Sequence, residues 1–187
     1  SFYPNMQEKG TIDLLLSRPM SRFNIYLAKY IGCMLVVFML VSYLILGSWI
    51  VIYLKTGTAY IEFLYTIPIF MTIFLAFMSF VAMSGIIFRN TTTSAVLAIF
   101  FPFIFSLVLF GFHNSRLLRG NRFWYDFFEG LYWIFPKTPE LTAWNIRLIA
   151  GREALAGTDI NVALWTSLAF AAGTFMIGAV IFMRRSY

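Results

Sequence analysis

Apolar and polar residues of this chain are segregated into long blocks. Four blocks of about 25 residues contain no charged side chain and are bounded by charged residues; they cover residues 30–54, 63–88, 90–115 and 160–183. An α-helix of about 20 apolar residues is long enough to cross the hydrocarbon core of a bilayer. The pattern therefore predicts an all-α integral membrane protein with four transmembrane helices.

The remaining residues form segments of different character. Residues 1–29 are polar and helix-prone, residues 116–159 form one long connection, and the last segment, 160–187, ends in a short basic tail. The turn around Gly57 is short, so the first two predicted helices should form an antiparallel hairpin. The first residue is not methionine, and residues 1–4 are typical of the exit from an apolar segment, so we expect more chain to precede them.

Composition agrees with the block pattern. Hydrophobic residues make up 60% of the chain, mean hydropathy is +0.80 and only 12% of residues are charged, whereas about a quarter are charged in soluble domains. This composition excludes a soluble globular fold. The net charge of +6 is divided between two sides of a membrane, so it does not indicate a nucleic-acid partner. Cys33 is the single cysteine, which excludes an internal disulfide and a cysteine-ligated zinc site.

The division of charge predicts an orientation. If both ends lie on one side of the membrane, that side carries seven basic and two acidic residues, whereas the other carries seven basic and six acidic ones. Cytoplasmic flanks of membrane helices are enriched in lysine and arginine. Arg89 and Arg184 lie on short flanks without a nearby acid, so we expect both ends to be cytoplasmic and residues 116–159 to be extracytoplasmic.

The connection 116–159 is crowded with aromatic residues. Apolar side chains recur at three- and four-residue steps, at Phe123, Trp124, Phe127, Phe128, Leu131 and Phe135, and Tyr125, Tyr132 and Trp133 suit the headgroup zone. The pattern is typical of an interfacial helix, and Pro136 and Pro139 should separate it from a second short helix over residues 140–153. We expect an extracytoplasmic interface at Phe123, Trp124, Phe127, Phe128 and Trp133. It is either a lid on the helix bundle or the lining of a substrate route.

Prolines and small residues mark positions inside the predicted helices. Pro68 and Pro102 lie where a helix would kink, either as a functional hinge or as a harmless bend. Ala169 with Gly173, and Thr174 with Gly178, place small residues four apart on the last helix. Such a face permits close approach of another helix, within the subunit by default.

The segment 8–22 is helix-prone but interrupted. Thr11 can cap a first short helix, Pro19 ends it, and Ser21 can cap a second helix that continues into the first span. The result is a basic, leucine-tipped bend. An amphipathic helix lying on anionic lipid would have the same composition, so composition leaves both interpretations open.

The order of residues in this segment is more specific than its composition. An acidic residue and Gly-Thr precede a leucine cluster, followed by Ser-Arg-Pro, Ser-Arg and a lysine at the entry to the next helix: Glu8, Gly10, Thr11, Leu14, Leu15, Leu16, Arg18, Pro19, Arg22 and Lys29. This arrangement resembles the coupling-helix region of ABC transporter permeases of the ABC-2, or type-2 exporter, family. The four helices with a long segment before the last are similar to that family across the chain.

The resemblance implies a transmembrane permease subunit of an ATP-binding-cassette exporter in a bacterial inner membrane. The implied partners are a second permease subunit, which would complete the pathway, and two copies of a separate ATPase. The segment 8–22 would dock on the ATPase. The implied docking residues are Glu8, Gly10, Thr11, Leu14, Leu15, Leu16, Arg18, Pro19 and Arg22. Family members usually have six spans, so the chain would be the C-terminal part of a six-span subunit. No catalytic residue, cofactor or metal is implied.

Two functions other than export have candidate residues in the sequence. An intramembrane hydrolase would need Ser84 and His113 within about 3 Å of each other, but the hairpin arrangement places them on opposite sides of a core about 30 Å thick. In the second alternative the ATPase still drives the chain, but no solute is moved. The helix bundle instead transmits force through residues 116–159 to a periplasmic partner.

Overall fold

The computed structural model describes residues 21–88, 90–114, 122–150 and 159–184, and within these ranges it contains helices and no strand. The helices are α1 (Arg22–Thr56), α2 (Thr66–Phe88), α3 (Thr91–Ile99), α4 (Ser106–Asn114), α5 (Arg122–Ile134), α6 (Thr138–Ala150) and α7 (Ile160–Arg184). A 3₁₀ turn, Ile61–Tyr65, precedes α2, and a π-helical segment, Phe100–Phe105, joins α3 to α4.

The prediction of four membrane-length helices is confirmed. The described helices that are long and apolar enough to cross a membrane are Phe23–Thr56, Ile61–Phe88, Thr92–Asn114 and Ile160–Arg184. The first begins before the uncharged block, because Lys29 lies within the helix. One lysine near a helix end is tolerated because its long side chain can reach the membrane boundary.

Local sequence explains where α1 begins and ends. The hydroxyl of Ser21 accepts a hydrogen bond from the Asn24 amide at 3.2 Å, so the predicted cap is present. At the other end, Gly57 adopts a left-handed conformation with φ 68°, and its amide donates to the Tyr53 carbonyl. Glycine adopts this conformation without the steric cost that a side chain would impose.

The helices are held together at two levels. Where α1 begins and α7 ends, which we call the basal end, Ile25, Tyr26, Ala82, Ile86 and Ala179 form one buried cluster. At the opposite end, which we call the hairpin end, Ile69, Ile73, Leu141 and Ala163 form a second cluster from α2, α6 and α7. There the Trp49 indole also donates to the Tyr60 carbonyl at 3.0 Å. The start of α1 therefore lies beside the ends of α2 and α7, so α1 runs antiparallel to both.

Most of α1 between these levels faces outward. Large apolar side chains such as Met39, Tyr43 and Leu54 are exposed along it. A surface of this size and composition is stable only against lipid or other apolar helices. The packed contacts of α1 with the described part of the chain therefore concentrate near its ends.

The two prolines inside spans have different surroundings. Pro68 lies in the first turn of α2, where a missing N–H costs no helical hydrogen bond. Pro102 is buried within the π-helical segment. A π-helical turn widens the hydrogen-bond pattern to five residues, and the Pro102 carbonyl accepts from the hydroxyl of Thr138. The π-helical segment at Pro102 is thus part of a tertiary contact.

The small-residue face of α7 is divided. Thr174 and Gly178 are buried within the chain, as expected for packing inside the subunit. Ala169 and Gly173 are exposed, and a side chain added at Gly173 would meet nothing within 4 Å.

Candidate functional site

The predicted ATPase-docking residues lie almost entirely outside the described residues. Glu8, Gly10, Thr11, Leu14, Leu15, Leu16, Arg18 and Pro19 are outside them, and Arg22 is described only as the first residue of α1. The docking role therefore stays a prediction. The described residues begin at Ser21 and define how this segment joins the bundle.

The first turns of α1 are fastened to α2 and α7 by two tyrosines. Tyr26 is fully buried, and its ring centroid lies 5.0 Å from that of Phe175 and 5.9 Å from that of Phe182. One turn later, the hydroxyls of Tyr30 and Ser79 lie 2.6 Å apart. Because both tyrosines are on α1 and their partners are on α2 and α7, the three helices are joined immediately after the predicted docking segment.

At the hairpin end, α5 and α6 form a helical hairpin that turns back into the bundle. The helix α5 runs back along α4, with the Phe112 and Phe128 rings 5.0 Å apart and the Phe105 and Phe135 rings 5.0 Å apart. Phe105 lies nine residues before the end of α4, which corresponds to about 13 Å along a helix. The α5–α6 hairpin therefore reaches past the end of the third span, toward the basal end of the bundle.

Buried hydrogen bonds fasten the turn of this hairpin. The Thr138 hydroxyl donates to the Pro102 carbonyl at 2.8 Å, the Lys137 amide donates to the Ser167 hydroxyl at 3.0 Å, and the Ser106 hydroxyl donates to the Pro136 carbonyl. Hydrogen bonds satisfy polar groups that would otherwise be costly to bury. The hydroxyl residues of the spans thus position the turn between α5 and α6.

The aromatic side chains of α5 divide between two environments. Phe123, Trp124, Phe127 and Trp133 are exposed, as an interface would require, and Phe123 is 71% exposed. Phe128 instead packs on Phe112, and Tyr132, which was expected in the headgroup zone, is buried. Tyr132 is buried because α5 packs along α4 and does not lie flat beside the bundle.

A cleft of about 230 Å³ opens beside the hairpin. Its lining comes from α4, α5, the turn, α6 and the start of α7: Phe110, His113, Asn114, Tyr132, Trp133, Lys137, Glu140, Asp159 and Val162. We call it the Lys137 cleft. Asn114 and Asp159 are exposed at its mouth, whereas Lys137 and Glu140 are buried.

The ammonium of Lys137 is held by aromatic rings. Its Nζ lies 4.2 Å from the Tyr132 ring centroid and 4.0 Å from that of Trp133, and the residue is only 4% exposed. Within the described parts of the chain, no carboxylate oxygen forms an ion pair with it, and burial lowers its pKa below the ordinary value. Cation–π contacts attract the charge but supply no hydrogen-bond acceptor.

Glu140 is the acidic group of the cleft interior. The Tyr132 hydroxyl donates to its Oε1, and the His113 ring stacks on the Tyr132 ring at 4.2 Å. Burial raises the pKa of Glu140 to about 7. At neutral pH the side chain therefore changes readily between a carboxylate and a neutral carboxyl that can donate a hydrogen bond.

Sequence reasoning did not select Lys137, Glu140 or Tyr132 as site residues. The local signal was a lysine directly after Pro136 and a glutamate directly after Pro139, in the predicted break between two helices. The pattern did not reveal that the turn would be buried, which depends on Ser106 and Ser167 from other helices.

The hydrolase pair is not assembled. The Ser84 hydroxyl donates to the Val81 carbonyl at 3.1 Å near the basal end, whereas His113 lies at the hairpin end on Tyr132. Across the residues that the structure describes, no three His, Cys, Asp or Glu side chains are grouped as metal ligands.

Comparison with known protein families gives a match over most of the chain. The model of a protein family described as ABC-2 family transporter protein matches residues 7–187. No curated protein and no solved structure matches the chain.

Proposed function

Because this chain belongs to the ABC-2 family of transporter proteins, we propose that it is the permease subunit of an ATP-driven exporter, moved by a separate ATPase that docks on residues 8–22. Two permease subunits and two ATPase subunits form the assembly, in a bacterial inner membrane. ATP hydrolysis belongs to the partner, and this chain forms the membrane pathway.

The observation that carries the proposal is the burial of Tyr26 between α2 and α7. Tyr26 lies four residues after Arg22, the last residue of the proposed docking segment. A movement of that segment therefore reaches the basal ends of two other spans through one fully packed aromatic side chain. Close-packed interiors transmit displacement because they contain little free volume.

A second tie directs the movement along α2. The Tyr30 hydroxyl lies 2.6 Å from the Ser79 hydroxyl and 3.3 Å from the Leu75 carbonyl. Beyond this point α1 is largely exposed until its far end. A displacement of α1 would consequently act on α2 and α7 at the basal end. Movement of α7 would then change the Lys137 cleft at the opposite end, because the start of α7 lines that cleft.

The exposed aromatic side chains of α5 favour a second candidate function, mechanical transmission to a periplasmic protein. Phe123 and Phe127 lie one turn apart and are both exposed, as a protein contact requires. A photoreactive amino acid at Phe127 separates the candidates, with the partly buried neighbour Phe128 as matched control. A stable protein adduct specific to position 127 favours mechanical output, whereas a labelled small amphiphile favours export.

The docking proposal is tested by affinity purification through a tag on the full-length chain. We expect an ATPase subunit to copurify with the wild type and to be lost with Leu15→Asp, or with Pro19→Ala combined with Arg22→Glu. Asn24→Asp is the matched control for Leu15→Asp, because it adds the same single negative charge at an exposed position of the first turn of α1, where the helix dipole tolerates it.

Copurification unchanged by either docking variant would contradict the proposal. Loss of the ATPase with Asn24→Asp as well would attribute the effect to charge near the membrane and not to docking. Each variant must first give the same size-exclusion profile as the wild type, so that a folding defect is not taken for loss of contact.

A further inference from the structure

We infer that the Lys137 cleft binds the oxyanionic head group of an acidic amphiphile, with the Lys137 ammonium as the group that contacts the anion. This inference rests on the proposed function, because it identifies the bound amphiphile as the class of substrate that the exporter moves. The binding site itself is defined by the residues of α4, of the α5–α6 hairpin and of the start of α7 that line the cleft.

The first argument is the state of the Lys137 ammonium. It is buried, it faces a cleft, and in the described residues its neighbours are ring faces and not oxygen acceptors. An ammonium carries three N–H donors, and burying a charge is costly unless it is paired. An oxyanion in the cleft supplies the acceptor and the opposite charge together.

The second argument concerns Glu140, the acidic side chain inside the cleft, which does not have to repel a negatively charged ligand. Its Oε1 already accepts from the Tyr132 hydroxyl, and the protonated carboxyl can donate its own hydrogen to an oxyanion. Asp159 lies at the exposed mouth, where water screens its charge. The interior thus offers one cation and one neutral donor to the ligand.

The third argument concerns the rest of the ligand. The cleft wall continues into exposed apolar side chains, with Trp133 on α5, Val162 on α7 and Trp165 one turn further along α7. Trp165 is 72% exposed. A charged group bound at Lys137 would therefore leave an attached hydrocarbon chain against an apolar surface, which favours an amphiphile over a free ion.

Native mass spectrometry of the full-length protein in neutral detergent tests the inference. The probes are phosphatidylglycerol and phosphatidylcholine with identical chains. We expect the wild type to retain phosphatidylglycerol preferentially, and Lys137→Met to weaken retention roughly tenfold, as loss of a charge-assisted hydrogen bond does. Lys55→Met is the matched control, because Lys55 is exposed at the same end of the bundle.

Equal retention of the two lipids, or equal retention of phosphatidylglycerol by wild type and Lys137→Met, would overturn the inference. An excess of inorganic phosphate distinguishes the source of the oxyanion. Unchanged lipid retention supports the amphiphile, whereas displacement by phosphate would show a site for a free ion and overturn the assignment.

Two further readouts separate ligand binding from a structural role. An unpaired buried charge carries a desolvation cost that an apolar side chain of similar length does not, so Lys137→Met should keep at least the wild-type melting temperature while it loses the lipid. Glu140→Gln, which keeps a neutral donor, should strengthen retention above neutral pH. Because no ATPase takes part in these measurements, a failure of docking would leave them unaffected.

Discussion

The hydroxyl of Tyr26 occupies the space beside Gly178 that a side chain there would need. A Cβ atom on Gly178 would lie 2.7 Å from the Tyr26 hydroxyl oxygen and 3.3 Å from the Met83 Cα. Three helices meet at this point, and the glycine permits their close approach. The contact joins the start of the chain's first span to the last span.

We expect Gly178→Ala to destabilise the protein by about 1–3 kcal/mol, the usual cost of overpacking a close-packed site. Tyr26 is fully buried, so its hydroxyl has no free space to move into. Thermal unfolding in detergent, followed by size-exclusion chromatography, measures the effect.

Two variants test the cause of that loss. Gly173→Ala should be nearly neutral, because its Cβ would meet nothing within 4 Å. Tyr26→Phe should recover part of the stability of Gly178→Ala, since it removes the clashing oxygen. Additive effects of the two substitutions would argue that the hydroxyl does not limit the space at Gly178.

The turn of the α5–α6 hairpin should depend on Thr138. Thr138→Val removes the donor to the Pro102 carbonyl, and an unsatisfied buried carbonyl costs about 1–3 kcal/mol. We expect a lower melting temperature and faster amide exchange in α5 and α6. Thr142→Val is the control: its hydroxyl donates to the Thr138 carbonyl but it lies on an exposed position of α6. Equal losses for both variants would contradict a specific role for the contact with the third span.

Stability should fall as pH rises through the range in which Glu140 ionises. Burial raises the pKa of Glu140 from 4.5 to about 7, so the folded protein binds this proton more tightly than the unfolded chain does. The stabilisation is therefore complete below about pH 4.5 and decreases up to about pH 7, by about 1 kcal/mol per pH unit.

The comparison of Glu140→Gln with Glu62→Gln isolates this contribution. Melting temperatures measured across the pH range should lose their slope in Glu140→Gln and retain it in Glu62→Gln, which alters an exposed side chain. The other titratable groups facing the cleft are His113, Tyr132, Lys137 and Asp159. A slope that persists in Glu140→Gln would contradict the assignment of the titration to Glu140.

The orientation of the bundle is accessible to thiol labelling. In a Cys33→Ser background, we expect a cysteine at exposed Thr58 to react with an impermeant reagent in intact cells, and one at exposed Thr92 to react only after permeabilisation. The charge distribution predicts that Thr92 lies on the cytoplasmic side. The reverse labelling pattern would invert the topology, and with it the side on which an ATPase could dock.

Several features could be predicted from the sequence because they depend on neighbours along the chain. Block length and the absence of charge indicated four spans, and Ser21 was identified as a cap from its place before an apolar run. Each of these depends on residues within one helix or one turn.

The placement of the α5–α6 hairpin could not be predicted in the same way. The aromatic periodicity of α5 indicated a helix with an apolar face, but whether that face meets lipid or protein depends on the wide π-helical turn at Pro102 and on hydroxyls from two other spans. The burial of Tyr132 and the enclosure of Lys137 follow from that placement.

The sequence by itself determined that this protein lies in a membrane, that the described residues contain four helices long and apolar enough to cross it, and that the N-terminal segment resembles a coupling helix. These properties depend on local composition and on residue order, which the chain carries before it folds. Only the tertiary structure decided that Lys137 and Glu140 share a cleft and that Tyr26 joins three helices. Those relations require contacts between residues far apart in the chain, and contacts of that kind form only when the helices pack.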